Sequence, residues 1–339
     1  MTDSESQDVQ TEARYLAAAG EAVGCFPVTV HSLDLINVSE NITWRVTDPV
    51  GARFVLRLHR PGYHTLAELN AERLWIRALQ AAGIRVPQGI RTVRGDEYAT
   101  VRIGNSQEWR HAGLAYWADG EVLGDQIESR AGFLEDPSLV DRWFGQLGAL
   151  IAIMHNQACA WPVPAAFKRH CLDADGLMGV QPFWGRFWEH PALLPEQAAQ
   201  LSQARAHLYR LLSELDKSAD TYSVIHADLH SYNLLVHGEA LAVIDFDDAG
   251  FGWHAYDLAV ALLPYRTVAT FSHIQDAVLR GYRSCRPLAE TVTAVIPTFL
   301  LVRRLAIVGW LMHRPELGRS LEPSVIESLC EAAGTCLET

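Results

Sequence analysis

The segment 224–248, VIHADLHSYNLLVHGEALAVIDFDD, constrains the fold of this chain more than any other feature. It begins with a short apolar run and then enters a polar loop that contains Asp228 and Asn233. Two further apolar runs follow on either side of residues 237–239, and the second of them ends at Asp245. Apolar runs separated by a short glycine-containing turn predict a β-hairpin. Such a hairpin would bring Asp245 back beside Asn233.

The polar groups of this segment match the needs of phosphoryl transfer. That reaction uses one carboxylate to orient the acceptor hydroxyl, and an amide oxygen and a second carboxylate to hold Mg²⁺ on the nucleotide phosphates. Asp228, Asn233 and Asp245 are the right residue types in the right order. Asn233 follows Asp228 at the spacing of the loop H-R-D-x-x-x-x-N. We therefore predict Asp228 as the catalytic base and Asn233 and Asp245 as metal ligands.

Two other interpretations of the same segment remain open at this point. A single Asp or Asn before an apolar run is often only a cap or turn residue. His226, Asp228 and His230 also stand two positions apart and would offer three ligands to a transition metal. A strand would direct all three to one face only if it were extended throughout, and no further His-rich motif completes such a site.

On these motifs the chain resembles the aminoglycoside phosphotransferase and choline kinase superfamily, nearest to stress response kinase and type II homoserine kinase. The later motif Gly252-x-x-x-Tyr256-Asp257 is also similar to the family pattern. The resemblance implies an α+β, bilobal protein-kinase-like fold. Its N-terminal lobe would hold an antiparallel sheet and one helix, and its C-terminal lobe would be larger and mostly helical. It also implies that a buried Asp257 braces the catalytic loop, and we expect His226 to support the same loop.

The domain organisation follows from the same comparison. Residues 1–12 are acidic and polar and are predicted to be a disordered tail. Residues 13–117 would form the nucleotide-binding lobe and residues 118–339 the catalytic and substrate lobe. The apolar segment 292–312 is interrupted by arginines and a proline, so we interpret it as a core helix and not as a membrane span.

The phosphate-binding cation is an arginine in this chain. Residues 53–58 alternate like a strand, with Val55 and Arg57 on one face. The only lysines are Lys168 and Lys217, so no Gly-Lys pair forms a phosphate-binding loop. Val55 would lie under the adenine of ATP and Arg57 on its phosphates. This departs from the usual lysine of the superfamily and leaves the choice between ATP and GTP open.

The remaining nucleotide contacts are predicted from neighbouring elements. A helix is expected at residues 66–82, and either Glu68 or Glu72 would hold Arg57, with Glu72 preferred by the family pattern. Ser39 and Asn41 lie in a polar turn between two predicted strands and resemble the family's phosphate loop, although an ordinary hairpin turn fits too. The backbone of the predicted lobe connector, at Tyr116 and Trp117, would bind the adenine.

The acceptor site is less well defined by sequence. Aromatic rings are concentrated between residues 183 and 188, and rings of this kind either hold an alkylammonium group or pack a core. The candidates for acceptor contacts are His230, Asp247, Asp248, Trp184, Trp188 and Tyr265. The sequence does not distinguish an amino alcohol from a hydroxy amino acid or an aminoglycoside.

Charge and cysteine content limit the partners. The net charge of −12 argues against nucleic acid and is compatible with a cationic small molecule. The first residues resemble neither a signal peptide nor a membrane anchor. Six cysteines without a C-x-x-C pair predict reduced core thiols in the cytoplasm. We expect a monomer or homodimer that needs ATP and Mg²⁺ and no membrane.

Two alternative functions remain to be distinguished. A Ser/Thr protein kinase is compatible with the stress-kinase resemblance, but the short distance from Asp245 to Asp257 leaves no room for an extended activation loop. A catalytically silent nucleotide-binding scaffold would explain the missing lysine. The presence of all three oxygen-bearing groups argues against this second alternative.

Overall fold

The structure is a computed structural model that describes residues 3–38, 41–314 and 321–338, with side chains from Ala13 onward. The chain forms two compact units. The first extends to Asp119 and includes Val163–Lys168, and the second comprises Gly120–Pro162 and the residues from Arg169 onward. The sequence placed the boundary slightly earlier, after residue 117.

The helices and strands follow in chain order. The helices are α1 (Asp3–Val23), α2 (Leu66–Ala81), α3 (Leu123–Ser129), α4 (Pro137–Ala160), α5 (Ala174–Met178), α6 (Pro195–Glu214), α7 (His254–Leu262), α8 (Phe271–Cys285), α9 (Glu290–Ala294), α10 (Ile296–Met312) and α11 (Pro323–Glu338). The strands are β1 (Ser32–Val38), β2 (Ile42–Thr47), β3 (Arg53–Leu58), β4 (Gly89–Ile90), β5 (Ala99–Arg102), β6 (Trp109–Tyr116), β7 (Glu121–Val122), β8 (Cys171–Leu172), β9 (Tyr222–Ile225), β10 (Leu234–His237), β11 (Ala240–Val243) and β12 (Gly250–Trp253). Short 3₁₀ helices cover Phe187–Glu189, Ser231–Asn233 and Leu263–Tyr265.

The first unit is built on one antiparallel sheet in the order β1-β2-β3-β6-β4, with β5 also paired to β6. Strand β3 alternates as predicted, because Phe54, Leu56 and Leu58 are buried while Val55 and Arg57 on the opposite face are half-buried. The three buried residues belong to the core of this unit. Val55 and Arg57 therefore share one face of the sheet.

Helix α1 covers the core-side face of this sheet. Its small residues Ala18, Ala19 and Ala22 are buried in the same cluster as Leu56 and Leu58, and small side chains let a helix lie close to the strands. The helix begins at Asp3, so most of the segment predicted as a disordered tail is helical. Once its last turns are packed, a helix extends toward its N-terminus at low cost. The first unit thus has a second helix besides the predicted α2.

Helix α2 begins with a reciprocal cap. The Thr65 side chain accepts a hydrogen bond from the Glu68 backbone N–H, and the Glu68 carboxylate accepts from the Thr65 backbone N–H at 2.8 Å. Glu72 lies one turn further along and is buried. The two candidate glutamates therefore have different surroundings: Glu68 caps the helix, and Glu72 lies on its buried face.

The second unit is mostly helical and contains two small sheets. Strands β10 and β11 form the predicted hairpin, with Leu234 opposite Val243 and His237 opposite Ala240. Gly238 takes a positive φ of 60° in its turn, a conformation that glycine adopts without a steric penalty. Strand β7 extends this hairpin, and β12 lies between β8 and β9 in the other sheet. The predicted α+β class is confirmed.

Two predictions about the whole chain have different outcomes. Within the described ranges, no helix has both the length and the apolar character needed to cross a membrane. The six cysteines are free thiols, but the prediction that they are core residues is wrong. Cys171 and Cys285 are exposed and the other four are half-buried.

Candidate active site

The loop that contains Asp228 is held through its backbone by a buried carboxylate. Asp257, in the first turn of α7, accepts hydrogen bonds from the backbone N–H of His226 at 3.1 Å and of Ala227 at 2.6 Å. Ala227 has a φ of 68°, which a residue with a side chain adopts only when its surroundings compensate for the strain. The Nε2 atom of His155 lies 3.2 Å from the same carboxylate. Asp257 therefore fixes the backbone immediately before Asp228.

His226 is fully buried, and both of its ring nitrogens have partners inside the loop. Its Nε2 lies 3.1 Å from the carbonyl oxygen of Ile244, and its Nδ1 accepts a hydrogen bond from the Asp228 backbone N–H at 3.3 Å. This arrangement needs a proton on Nε2 only. Burial lowers the pKa of His226, which also favours the neutral ring. The ring connects the catalytic loop to the strand end that precedes Asp245.

Asp228 is half-buried and its carboxylate is held at both oxygens. The Arg303 guanidinium donates to Oδ1, and the Asn233 amide donates to Oδ2 at 3.0 Å. His230 Nε2 lies 3.5 Å from Oδ2. Burial raises the pKa of Asp228, but the charge of Arg303 and the hydrogen bond from His230 outweigh it and hold the pKa at about 2. Asp228 is therefore ionised at neutral pH.

The hairpin places the two predicted metal ligands at the same end of the β10–β11 pair. Asn233 immediately precedes β10, and the backbone N–H of Ile244, just after β11, donates to the Asn233 carbonyl at 3.0 Å. Asp245 follows directly and has a φ of 64°. Because the Asn233 side chain donates through Nδ2 to Asp228, its Oδ1 is the atom that remains to face a cation. An amide oxygen beside a carboxylate fits a hard cation such as Mg²⁺.

The turn after Asp245 is held by two consecutive residues, Arg169 and His170, which we call the carbonyl clamp. Arg169 is buried; its guanidinium donates to the carbonyl of Asp247, to that of Phe246 at 3.3 Å and to that of Ala249 at 2.5 Å. The Nε2 of His170 lies 3.1 Å from the carbonyl of Asp248. Four successive carbonyls after Asp245 are thus bound by side chains from a distant part of the chain.

The transition-metal alternative is not supported. Across residues 3–38, 41–314 and 321–338, no group of three or more His, Cys, Asp or Glu side chains is arranged to hold a metal ion. Both nitrogens of His226 are used within the loop. The Nδ1 of His230 accepts a hydrogen bond from the Tyr232 backbone, which caps the 3₁₀ turn. These histidines organise the loop.

In the first unit, a second arginine lies on the nucleotide side of the sheet. Gly113 is opposite Arg57 in the β3–β6 ladder, and the Arg73 guanidinium lies so close to Gly113 and Gly89 that a Cβ at either would meet it within 3.0 Å. Arg73 is buried and also lies 5.2 Å from the centroid of the Tyr98 ring. The glycines make room for this cation, so the face that presents Val55 and Arg57 is more basic than the strand pattern indicated.

The other nucleotide-side candidates have mixed surroundings. Ser39 lies outside the described residues. The Asn41 side chain accepts a hydrogen bond at 2.9 Å from the backbone N–H of Arg60, a residue 19 positions further along the chain. The backbone N–H of Tyr116 donates to Gln88 and that of Trp117 donates to Arg53. A purine at this connector would therefore have to use other backbone groups than these two N–H donors.

The rings of Trp184 and Trp188, which were candidates for acceptor contacts, have arginine side chains of the same chain against them. Trp184 is buried, with Arg303 at 5.2 Å from its ring centroid and Tyr256 stacked at 6.1 Å. Trp188 has Arg186 at 5.7 Å and Arg205 at 5.1 Å from its ring centroid. These contacts favour the interpretation in which the aromatic cluster packs the unit over the one in which it holds an alkylammonium group.

Two further acceptor candidates lie near the catalytic loop. Tyr265 is buried edge-on against Phe144 at 4.8 Å, and its hydroxyl interacts with Ser231 of the loop. Asp248 lies near enough to Arg303 to favour the charged guanidinium, while its own carbonyl is held by the carbonyl clamp. Asp248 is thus the candidate that shares a polar cluster with Asp228.

Arg303 and Arg169 were not predicted as site residues. The signal for Arg303 was present, since two arginines interrupt an otherwise apolar segment and a buried cation requires a buried partner. The identity of that partner was not readable, because Asp228 lies 75 positions earlier. Arg169 lies in an irregular segment and has no sequence signal of its own.

Comparison with known proteins agrees with this geometry. The family model described as "Phosphotransferase enzyme family" matches residues 35–290. Amicoumacin kinase of Bacillus subtilis is 26% identical over 257 residues, which cover 73% of this chain and 69% of the relative. The solved structure of a microcompartment-associated aminopropanol kinase has a TM-score of 0.77 and 29% identity, and 95% of each chain is covered.

A second solved structure shares the fold. The amicoumacin kinase hAmiN, in complex with AMP-PNP, Ca²⁺ and Ami, aligns with a TM-score of 0.75 at 22% identity over 97% of this chain and 95% of that one. The neighbours also include choline and homoserine kinases. The fold and the site together define a kinase-like phosphotransferase.

More specifically, the chain belongs to the phosphotransferase enzyme family. It is therefore an enzyme that phosphorylates hydroxyl groups of small molecules, and the predicted superfamily is confirmed.

Proposed function

We propose that this phosphotransferase moves the γ-phosphoryl group of ATP to a hydroxyl of a small amino alcohol, a hydroxy amino acid or an aminoglycoside-like compound, with Mg²⁺ as the metal. The observation that carries the proposal is the arrangement of Asp228, Asn233 and Asp245 at one end of the β10–β11 hairpin. The substrates named for the similar aminopropanol and amicoumacin kinases support a small, hydroxylated acceptor.

In this proposal, Asp228 orients the acceptor. Its carboxylate accepts a hydrogen bond from the acceptor hydroxyl and directs the oxygen at the γ-phosphorus. The new O–P bond forms as the bond to the β–γ bridging oxygen breaks, ADP leaves, and the hydroxyl proton passes to the Asp228 carboxylate. A pKa of about 2 suits this role, because a loose transition state needs alignment more than a strong base.

The metal ligands supply oxygen atoms only. Asn233 through Oδ1 and Asp245 through its carboxylate would hold Mg²⁺, which matches the preference of that ion for hard oxygen ligands. Mg²⁺ bound there supplies charge neutralisation to the β- and γ-phosphoryl oxygens. The carbonyl clamp keeps the backbone after Asp245 in one conformation, so the ligand geometry does not depend on the metal.

The first unit supplies the groups for the nucleotide. Val55 would contact the purine, and Arg57 would bind phosphate oxygens through the two parallel donors of a guanidinium. Glu72, on the buried face of α2, is the carboxylate we assign to hold Arg57, since Glu68 caps the helix. The preference for ATP over GTP is tested by supplying each nucleotide in the same assay.

The segment after Asp245 favours a small acceptor over a protein. Between Asp245 and Asp257 the chain makes one turn, forms strand β12 and enters α7. Every residue of this stretch is described, and none of it forms the long loop that displays a peptide in protein kinases.

The decisive experiment combines an acceptor screen with the Asp228→Asn variant. ADP release is measured with hydroxylated amines, hydroxy amino acids and aminoglycosides. For the acceptor that responds, Asp228→Asn should lower turnover by at least ~100-fold without changing ATP binding. Asp220→Asn, at a side chain that is 97% exposed, makes the same charge change and should leave turnover unaltered. Near-normal turnover of the Asp228 variant would refute the proposed role.

A further inference from the structure

Helix α10 is apolar except for Thr298 near its start and one adjacent pair of arginines, Arg303 and Arg304. The side chain of Arg303 is only 12% exposed. Arg304 has a different environment, because it donates to the Ser328 hydroxyl at 2.8 Å on the outside of the unit. Placing a guanidinium inside an apolar helix bundle is unfavourable unless it is paired and hydrogen-bonded. The position of Arg303 therefore needs an explanation that packing does not supply.

The partners of Arg303 give that explanation. Its guanidinium donates to Oδ1 of Asp228, lies 3.4 Å from the Tyr256 hydroxyl, and stacks at 5.2 Å from the centroid of the Trp184 ring. Burial of Tyr256 and Trp184 keeps water away from two sides of the cation. Burial lowers the pKa of Arg303, but Tyr256, Asp228 and Asp248 outweigh it and raise the pKa above its ordinary value. The guanidinium thus has one fixed orientation, set by a ring, a phenol and the catalytic carboxylate.

This contact limits the motion of Asp228. A carboxylate bound at one oxygen can still rotate about its last side-chain bond. Asp228 is bound at Oδ1 by Arg303 and at Oδ2 by Asn233, so rotation would break both bonds. Each carboxylate oxygen has two lone pairs, so both oxygens keep capacity to accept a hydrogen bond from the acceptor hydroxyl. A fixed orientation of the acceptor-binding group contributes strongly to the rate of phosphoryl transfer, because a small misalignment of the reacting atoms lowers that rate.

We propose that Arg303 is a positioning residue for the reaction: it holds the Asp228 carboxylate in the one orientation that can receive the acceptor hydroxyl. The inference rests on the proposed function, since it assumes that Asp228 binds that hydroxyl. Arg303 itself touches neither nucleotide nor acceptor in this scheme. Its side chain also occupies the Trp184 face, so the ammonium group of an amino-alcohol acceptor binds elsewhere.

The first test replaces Arg303 and compares turnover with affinity. Arg303→Met keeps the length of the side chain and removes its donors, and kcat should fall about 10- to 100-fold, as for the loss of a group that orients a ligand. The KM for ATP should change less than about twofold, because no nucleotide contact is removed. Arg303→Lys keeps the charge and should recover part of kcat. Arg304→Met is the matched control and should match the parent enzyme.

A double-mutant cycle separates positioning from a merely structural role. If Arg303 acts through Asp228, then Asp228→Asn with Arg303→Met should turn over at the rate of Asp228→Asn alone, within about twofold. This double variant removes both members of the Asp228–Arg303 pair, so it tests the inference even if Arg303→Met fails to fold. Additive losses, or a kcat of Arg303→Met within about twofold of the parent enzyme, would overturn the inference. Normal turnover of Asp228→Asn alone would instead refute the proposed function.

Discussion

The catalytic segment 226–249 of the second unit and the nucleotide face of the first unit are organised in different ways. In the catalytic segment, the backbone and the key carboxylate are held by side chains from far along the chain: Asp257, Arg303 and Arg169. On the nucleotide face, Val55 and Arg57 owe their position to the alternation of a single strand and to its neighbours in the sheet.

This difference indicates where each part of the reaction is sensitive. A group fixed by several distant side chains has one geometry, which suits in-line transfer and makes every support important. In the proposed function, a cation on the sheet face only has to attract phosphate oxygens, and Arg73, close to Gly113 opposite Arg57, would add to the same field. We therefore expect changes in the catalytic segment to reduce kcat and changes on the nucleotide face to raise KM.

The largest effect is expected for Asp245→Asn. The change removes the only charged ligand assigned to Mg²⁺, so kcat should fall by about 1,000-fold, at the upper end of losses for one electrostatic group. The Mg²⁺ concentration that gives half-maximal rate should rise as well. Both are measured by ADP release in a magnesium titration.

The control for Asp245 is a second acidic residue of the same hairpin. Glu239 lies in the β10–β11 turn with its side chain 86% exposed, and Glu239→Gln should leave the titration unchanged. If Asp245→Asn kept its kcat and its magnesium dependence, the metal would have to be held elsewhere, and the contrast between the two regions would disappear.

An intermediate effect is expected for the carbonyl clamp. Arg169→Met frees the carbonyls of Phe246, Asp247 and Ala249, so the turn after Asp245 should lose its fixed conformation. We predict a decrease in kcat of about 10- to 100-fold, typical for residues that orient metal ligands. The decrease should become smaller at high Mg²⁺. Kinetics and thermal unfolding are measured on the same sample.

Lys168 is the adjacent residue and is exposed, so Lys168→Met controls for the loss of a positive charge at this place. A clamp that only stabilised the fold would lower the unfolding temperature of Arg169→Met and leave its kcat unchanged at temperatures where it is folded. That result would assign Arg169 to the scaffold and remove it from the organisation of the site.

The two regions also differ in how well the sequence predicted them. The hairpin, the loop spacing and the alternation of β3 are local patterns, and each was recovered because the period of a strand or the length of a loop sets it. The long-range supports of the catalytic segment are not encoded by local patterns. Arg303 reaches across 75 positions and Arg169 across 78 to the Asp247 carbonyl, and no pattern of nearby residues encodes such a contact.

Helix α1 departs from the sequence-based prediction for another reason. The first residues are acidic and polar, and composition alone favours a disordered tail. Helix α1 nevertheless begins at Asp3; Ala18, Ala19 and Ala22 pack in the core of the sheet, and a helix with a packed C-terminal half extends toward its N-terminus at low cost. A tertiary contact of this kind is absent from composition, so the prediction could not include it.

The smallest effect is expected for Arg57→Met, and it tests the nucleotide side of the contrast. Removing one guanidinium from the sheet face should raise the KM for ATP about tenfold, which corresponds to ~1.4 kcal/mol, and should change kcat by less than about threefold. Arg57→Lys keeps the charge and should stay near the parent enzyme. Arg102→Met, on an exposed position of β5, is the control for a lost surface charge. A large decrease in kcat with an unchanged KM would mean that Arg57 acts in the transition state, and the two regions would then contribute to catalysis in the same way.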